Sequence, residues 1–188
     1  MDAYDAIARR TSVRAFKTER VPRAVIERLL AAAVRAPNHK LTEPWRFAVL
    51  TGAAASRFAE LKRAHRAARL ADPATPEAAR AIDKTFREAA LTPAFVVVMV
   101  AESEDPVRRE EDYAATMMAT ENLLIAATAE GLGSYVRTGG IMRDPAVREL
   151  VRASGQDRIV AVVSLGYPAD AAQPGRRTDP AGLTVWLD

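Results

Sequence analysis

The apolar positions along the chain follow two rhythms. Ala24 to Val34 (AVIERLLAAAV) places apolar residues at helical spacing behind Pro22, which predicts a helix ending near Pro37. Asp2 to Arg9 reads as a short helix ahead of it, and Ala53 to Leu70 and Pro76 to Leu91 repeat the helical period in Ala-rich, charged sequence. Pro106 to Glu130 predicts a long helix closed by Gly131, and Asp144-Pro145 opens a short one through Val151. Against these stand short runs of branched and aromatic residues. WRFAVL (Trp45 to Leu50) lies between Pro44 and Gly52, FVVVMV (Phe95 to Val100) follows Pro93, and IVAVVSL (Ile159 to Leu165) stops at Gly166. These read as strands, the last two buried on both faces, and a further strand starts near Ser134.

Helices and strands are mixed without strict βαβ alternation, which argues for an α+β fold over a doubly wound sheet. No Gly/Ser-rich or Pro-rich linker and no fixed-period repeat divides the 188 residues, so residues 1–188 are expected to form one domain. Composition agrees: 49% of the residues are apolar and 27% charged, ordinary for a chain with a sizeable core.

Charge and residue types then exclude several chemistries. The absence of cysteine removes disulfides, thiolate metal sites and a cysteine nucleophile. His39 and His65 are the only histidines and neither has a partner at ligand spacing, so no metal is expected. The opening MDAYDAIARR carries acids and lacks the apolar core of a signal peptide, and Glu121 and Asn122 interrupt the longest apolar run, Tyr113 to Ala129. The expectation is a cytoplasmic protein with no membrane span. The net charge of +3 is dispersed, and with 6% aromatic residues there is no basic, aromatic stripe for nucleic acid. Neither G-x-G-x-x-G, the P-loop pattern nor a G-x-S-x-G elbow occurs.

Three polar groups near predicted breaks remain as candidates. Arg10, Thr11, Ser12 and Arg14 follow the first helix and supply guanidinium forks and hydroxyls suited to a phosphate or an acceptor-rich ring; a plain surface turn is the alternative. Arg35 to Lys40 (RAPNHK) gathers cations at a helix end, where the helix dipole alone would also favour them. GLGSYVRTGG, Gly131 to Gly140, sets small residues around Val136-Arg137-Thr138 and would let backbone approach a flat ligand, or would simply cap a helix before a strand.

In this order, RRTSVRAF, APNHKLTEPWRF and GLGSYVRTG resemble the FMN-dependent nitroreductase family, and the similarity continues through VVSLGYPAD and GRRTDPAGLTVWL. It is closest to the short bacterial NAD(P)H nitroreductase branch. The resemblance implies an α/β/α sandwich with a central, mostly antiparallel sheet, built as an intertwined homodimer through the long helix and a C-terminal strand. It implies FMN as cofactor and NAD(P)H as electron donor, in ping-pong turnover with a small acceptor such as a nitroaromatic or quinone, and with no side-chain nucleophile. Arg10, Thr11, Ser12 and Arg14 would contact the phosphate, ribityl chain or ring edge, and Arg176 the phosphate. Arg35 and His39 would reach FMN held mainly by the partner subunit. Val136, Arg137 and Thr138 would lie along the isoalloxazine. Thr11 stands where Arg or His is frequent, and Val136 where Trp is frequent, which widens the pocket. The segment from Arg57 to Ala90 would form part of a lid that carries no pattern specifying an acceptor. Dehalogenation, enone reduction or flavin fragmentation on the same fold, and flavin binding without turnover, remain as alternatives.

Overall fold

Two continuous apolar strands organise the molecule. The computed structural model describes residues 1–171 and 173–187; Ala172 and Asp188 lie outside the described residues. Strands β1 (Trp45–Thr51), β2 (Ala94–Ala101), β3 (Gly133–Arg137) and β4 (Asp157–Gly166) form one antiparallel sheet in the order β1-β2-β4-β3. Because β2 and β4 are central, both their faces need cover, which their unbroken apolar runs supply.

Side-chain alternation divides the core into two layers. Val96, Val98 and Val100 face helices α2 (Arg23–Ala33) and α5 (Pro106–Ala129), where Leu29, Ala119 and Leu123 complete one apolar cluster. Phe95, Val97 and Met99 face α3 (Gly52–Ala68) and α6 (Pro145–Leu150), with Phe58 packed edge-on against Phe95 at 4.9 Å between ring centres. The register between β2 and β4 shifts at Val98/Met99. The helix α4 (Pro76–Ala90) lies against α3, and α1 (Ala3–Arg9) against α5. The expected α/β/α layering and antiparallel sheet are thus present, with all three strand pairings antiparallel.

Helix limits follow local chemistry. The side chains of Asp2, Thr75, Asp105 and Asp144 each accept a backbone N–H in the first turn of α1, α4, α5 and α6, and proline enters the first turn of the last three. Among the described residues no helix is long and apolar enough to cross a membrane.

The C-terminal strand is expected to pack against a second subunit. After a 3₁₀ turn at Pro180–Leu183, residues 184–187 form no strand within the chain, and Leu183, Val185, Trp186 and Leu187 are 75–91% exposed. An isolated strand has no partner for its N–H and C=O groups, so none forms without a second strand to pair with.

Candidate functional site

Residues 10–14 are placed by a close approach to β3. Ser12 bridges Ser134 in parallel, and Val13 N–H donates to the Ser134 carbonyl at 2.9 Å. Gly133 makes this possible: a Cβ there would sit 2.8 Å from Val13 Cβ, Cγ1 and Cγ2. The chain then runs beside the segment that follows β4. Lys17 N–H donates to Tyr167 O at 2.8 Å, Ala169 N–H to Ala15 O at 3.0 Å, and Thr11 Oγ1–H to Gln173 O at 3.2 Å.

The first and third sequence groups therefore meet. The guanidinium carbons of Arg14 and Arg137 lie 5.2 Å and 4.5 Å from the Tyr135 ring centre. Arg10 reaches Glu121 of α5 at 3.6 Å, and Arg137 reaches Glu88 of α4 at 3.6 Å. Thr138 is exposed, and Arg176 is exposed three residues beyond the tail position held by Thr11. Val136 sends its side chain toward the α2/α5 core, so the face it offers a ligand is backbone rather than a wide side-chain wall.

The second group lies elsewhere. Arg35 is exposed past the end of α2, and His39 Nδ1 contacts Glu111 Oε2 of α5 at 2.8 Å. No hydrogen bond or ion pair among the described residues links Arg35 or His39 to Arg10–Arg14 of the same chain. Their loop is held tightly: Lys40, Leu41 and Glu43 all have positive φ (54°, 52° and 41°), which costs non-glycine residues energy. Thr42 Oγ1 donates to buried Asp112 Oδ1 at 2.6 Å and Glu43 N–H to Asn38 Oδ1 at 3.0 Å, fixing that conformation.

A cavity of about 340 Å³ opens beside β3, between Tyr135–Ile141 and the helices α3 and α4. Lys62, His65 and Arg66 line it from α3 and Arg69 from the residue that caps it, one stripe at helical spacing that the sequence reading passed over as lid surface. Burial, reinforced by nearby Arg137 and opposed by Glu88, brings Lys62 down to about 8 from 10.5. Arg137 Nε is buried without a hydrogen-bond partner, a demand for an acceptor that this wall leaves unmet, and His65 Nε2 is likewise buried and unpartnered. Such donors around glycine-flanked backbone suit an acceptor-rich planar ring, and the guanidinium and hydroxyl groups of Arg10, Ser12 and Arg14 suit its phosphate-bearing chain; the residues present fit FMN. A larger cavity of about 670 Å³ lies along β1 and α2, lined by Val21, Ile26, Leu30 and Val49, and includes none of the three groups. No three His, Asp or Glu side chains converge as a metal site among the described residues.

Comparison with known proteins accords with this geometry. The model of the Nitroreductase family matches residues 7–167. A Bacillus subtilis protein named "Putative NAD(P)H nitroreductase YfhC" is 32% identical over 175 residues, covering 93% of this chain and 88% of its own. The crystal structure of the nitroreductase-like family protein from Bacillus cereus superposes with a TM-score of 0.84 at 28% identity, over 100% of this chain and 97% of that one. An FMN and NADPH-dependent nitroreductase from a Sphigopyxis strain shares the fold, with a TM-score of 0.82 at 20% identity over the whole of both chains.

Proposed function

Because the chain belongs to the nitroreductase family, we propose that it binds FMN and passes electrons from NAD(P)H to a small acceptor, such as a nitroaromatic or quinone, by a ping-pong mechanism. The observation that carries this reading is the junction of residues 10–14 with β3 through Ser12 and Ser134. It sets the phosphate-binding chemistry of one segment beside the glycine-flanked backbone of another.

In this reading bound FMN would supply the redox chemistry, two-electron transfer between NAD(P)H and the acceptor. The chain binds and orients. Arg10, Ser12, Arg14 and Arg176 neutralise the phosphate and hold the ribityl chain, while Thr11 secures the tail that brings Arg176 near. The backbone of Val136 to Thr138 borders the ring, and Arg137, anchored over Tyr135, holds positive charge beside it. No side chain acts as a nucleophile.

Homodimer formation completes the proposal. On α5 Tyr113 is 37% and Met118 43% exposed, and the C-terminal apolar residues lie uncovered. A second copy that covered both would bring its own Arg35 and His39 to the flavin, and would give residues 184–187 a strand to pair with. That arrangement accounts for a second residue group held so firmly yet so far from the first.

The test is the absorbance spectrum of the purified protein, followed by anaerobic addition of NADH or NADPH. A flavin spectrum that bleaches supports the reading and ranks the donors. Bound flavin that neither nucleotide bleaches points to flavin storage, and failure to bind added FMN rejects the reading.

A further inference from the structure

The cationic wall of α3 has a chemistry of its own. Lys62, Arg66 and Arg69 join Arg137 around one cavity, with Glu88 and Asp144 as nearby acids: Glu88 lies 3.6 Å from Arg137, and Asp144 3.6 Å from His65 Nδ1. No ion pair to Arg66 or Arg69 occurs among the described residues, unlike Arg63 and Arg87 of the neighbouring surface, which pair with Glu60 and Asp83. Cations in the last turn of a helix are favoured by its dipole, which would explain Arg66 and Arg69 alone. It does not explain Lys62, a helical turn earlier, or Arg137, which arrives from β3. Gathering like charges from two elements costs energy unless an anion offsets it. Lys62 is depressed first by its burial and then by Arg137, and Arg137 Nε and His65 Nε2 are buried here without a partner. The turn closes tightly on the helix, since a Cβ on Gly140 would sit 3.2 Å from His65 Nε2 and 3.6 Å from Arg69 Nη1.

We propose that this cavity binds the anionic group of a substrate, a carboxylate on the acceptor or a phosphate of the nicotinamide nucleotide, at the edge of the flavin site. The inference rests on the flavin reading, because Val136–Thr138 would then be a shared wall with the ring on one side and the anion on the other. Arg66 and Arg69 supply exposed guanidinium groups at the mouth, and Lys62 a partly buried ammonium further in. The lid helix thereby selects among acceptors of similar size by charge.

Direct binding to the purified protein, measured by calorimetry, tests this independently of turnover. The ligands are 4-nitrobenzoate, its neutral isostere 4-nitrobenzamide, and the oxidised nucleotides NAD+ and NADP+, which do not reduce the flavin, each against wild type, R66Q/R69Q and the charge-conserving R66K/R69K. The double glutamine variant is expected to lose about tenfold or more in affinity for at least one anionic ligand, as for loss of a charge-assisted bond, and less than about twofold for the amide. The lysine variant retains most of the affinity. Loss confined to 4-nitrobenzoate assigns an acceptor carboxylate, loss confined to NADP+ the nucleotide's extra phosphate, and equal loss for both nucleotides the pyrophosphate. If no anionic ligand loses more than the amide, or if R66Q/R69Q purifies with less flavin than wild type, the proposal is overturned. A protein without flavin, or one that NAD(P)H does not bleach, would reject the redox reading while leaving these affinities measurable.

Discussion

Replacing Gly133 by alanine tests whether the junction of residues 10–14 with β3 organises the site. The added methyl would lie 2.8 Å from three carbons of Val13, whereas carbon atoms pack at about 3.5–4.0 Å. Val13 is buried, and both partners are backbone-anchored, so the strands must part by about 0.7–1.2 Å. The Val13 N–H to Ser134 O bond, now 2.9 Å, would then stretch beyond bonding range. Overpacking costs about 1–3 kcal/mol and the lost bond about 1 kcal/mol, so G133A should lose about 2–4 kcal/mol in urea unfolding of the apoprotein. Flavin affinity should fall about tenfold or more, because Ser12 and Arg14 move with Val13. Val13→Ala removes two of the three clashing carbons, and in that background the cost of G133A should shrink by at least about 0.5 kcal/mol. Fluorescence titration with FMN and urea melts of the four proteins complete the cycle. Wild-type flavin affinity in G133A, or strict additivity with V13A, would refute the reasoning.

Three further outcomes follow from other contacts. Asp112→Ala removes the acceptor that holds Thr42 and the partner of Arg108, 3.4 Å away, and should cost about 1–3 kcal/mol by urea melt, with proteolysis in residues 38–44 enhanced. Lys62 releases its proton near pH 8 when folded and near 10.5 when unfolded, so the unfolded chain binds more protons between these values and stability rises with pH there; in K62M the rise is smaller, as thermal melts across the window would read. Trp186→Ser with Leu187→Ser removes two of the most exposed apolar side chains, and light scattering should find a larger monomer fraction at equal concentration than in wild type.

Much of the fold is legible because its punctuation is chemical. Pro76, Pro106 and Pro145 mark helix starts, Gly166 ends β4, and the unbroken run Phe95 to Val100 signals a strand covered on both faces. The site is less legible because it depends on sheet order. Nothing local states that residue 12 lies against residue 134, or that β3 pairs with β4 and thereby turns Arg137 toward α3. The stripe Lys62, His65, Arg66, Arg69 has a visible period, yet helical cations are common in a chain that is 27% charged, and only the cavity sets these apart. Val136 depends on the sheet in the same way, since strand alternation packs its side chain against the core while the residue still borders the cavity beside β3. The tail hydrophobics read as a strand whose hydrogen-bond partner the chain itself does not provide.

The two borders of the sheet are unequal. β3 is five residues long and is met on its outer side by Ser12 and Val13, whereas β1 is seven residues long and, among the described residues, pairs only with β2. Free backbone donors and acceptors thus lie mainly along one side. Growth by strand addition needs two such sides, one to receive and one to offer the next site. A molecule with a single receptive border can gain one strand there and then has no template left, so such pairing terminates in a closed complex and does not propagate into a fibre.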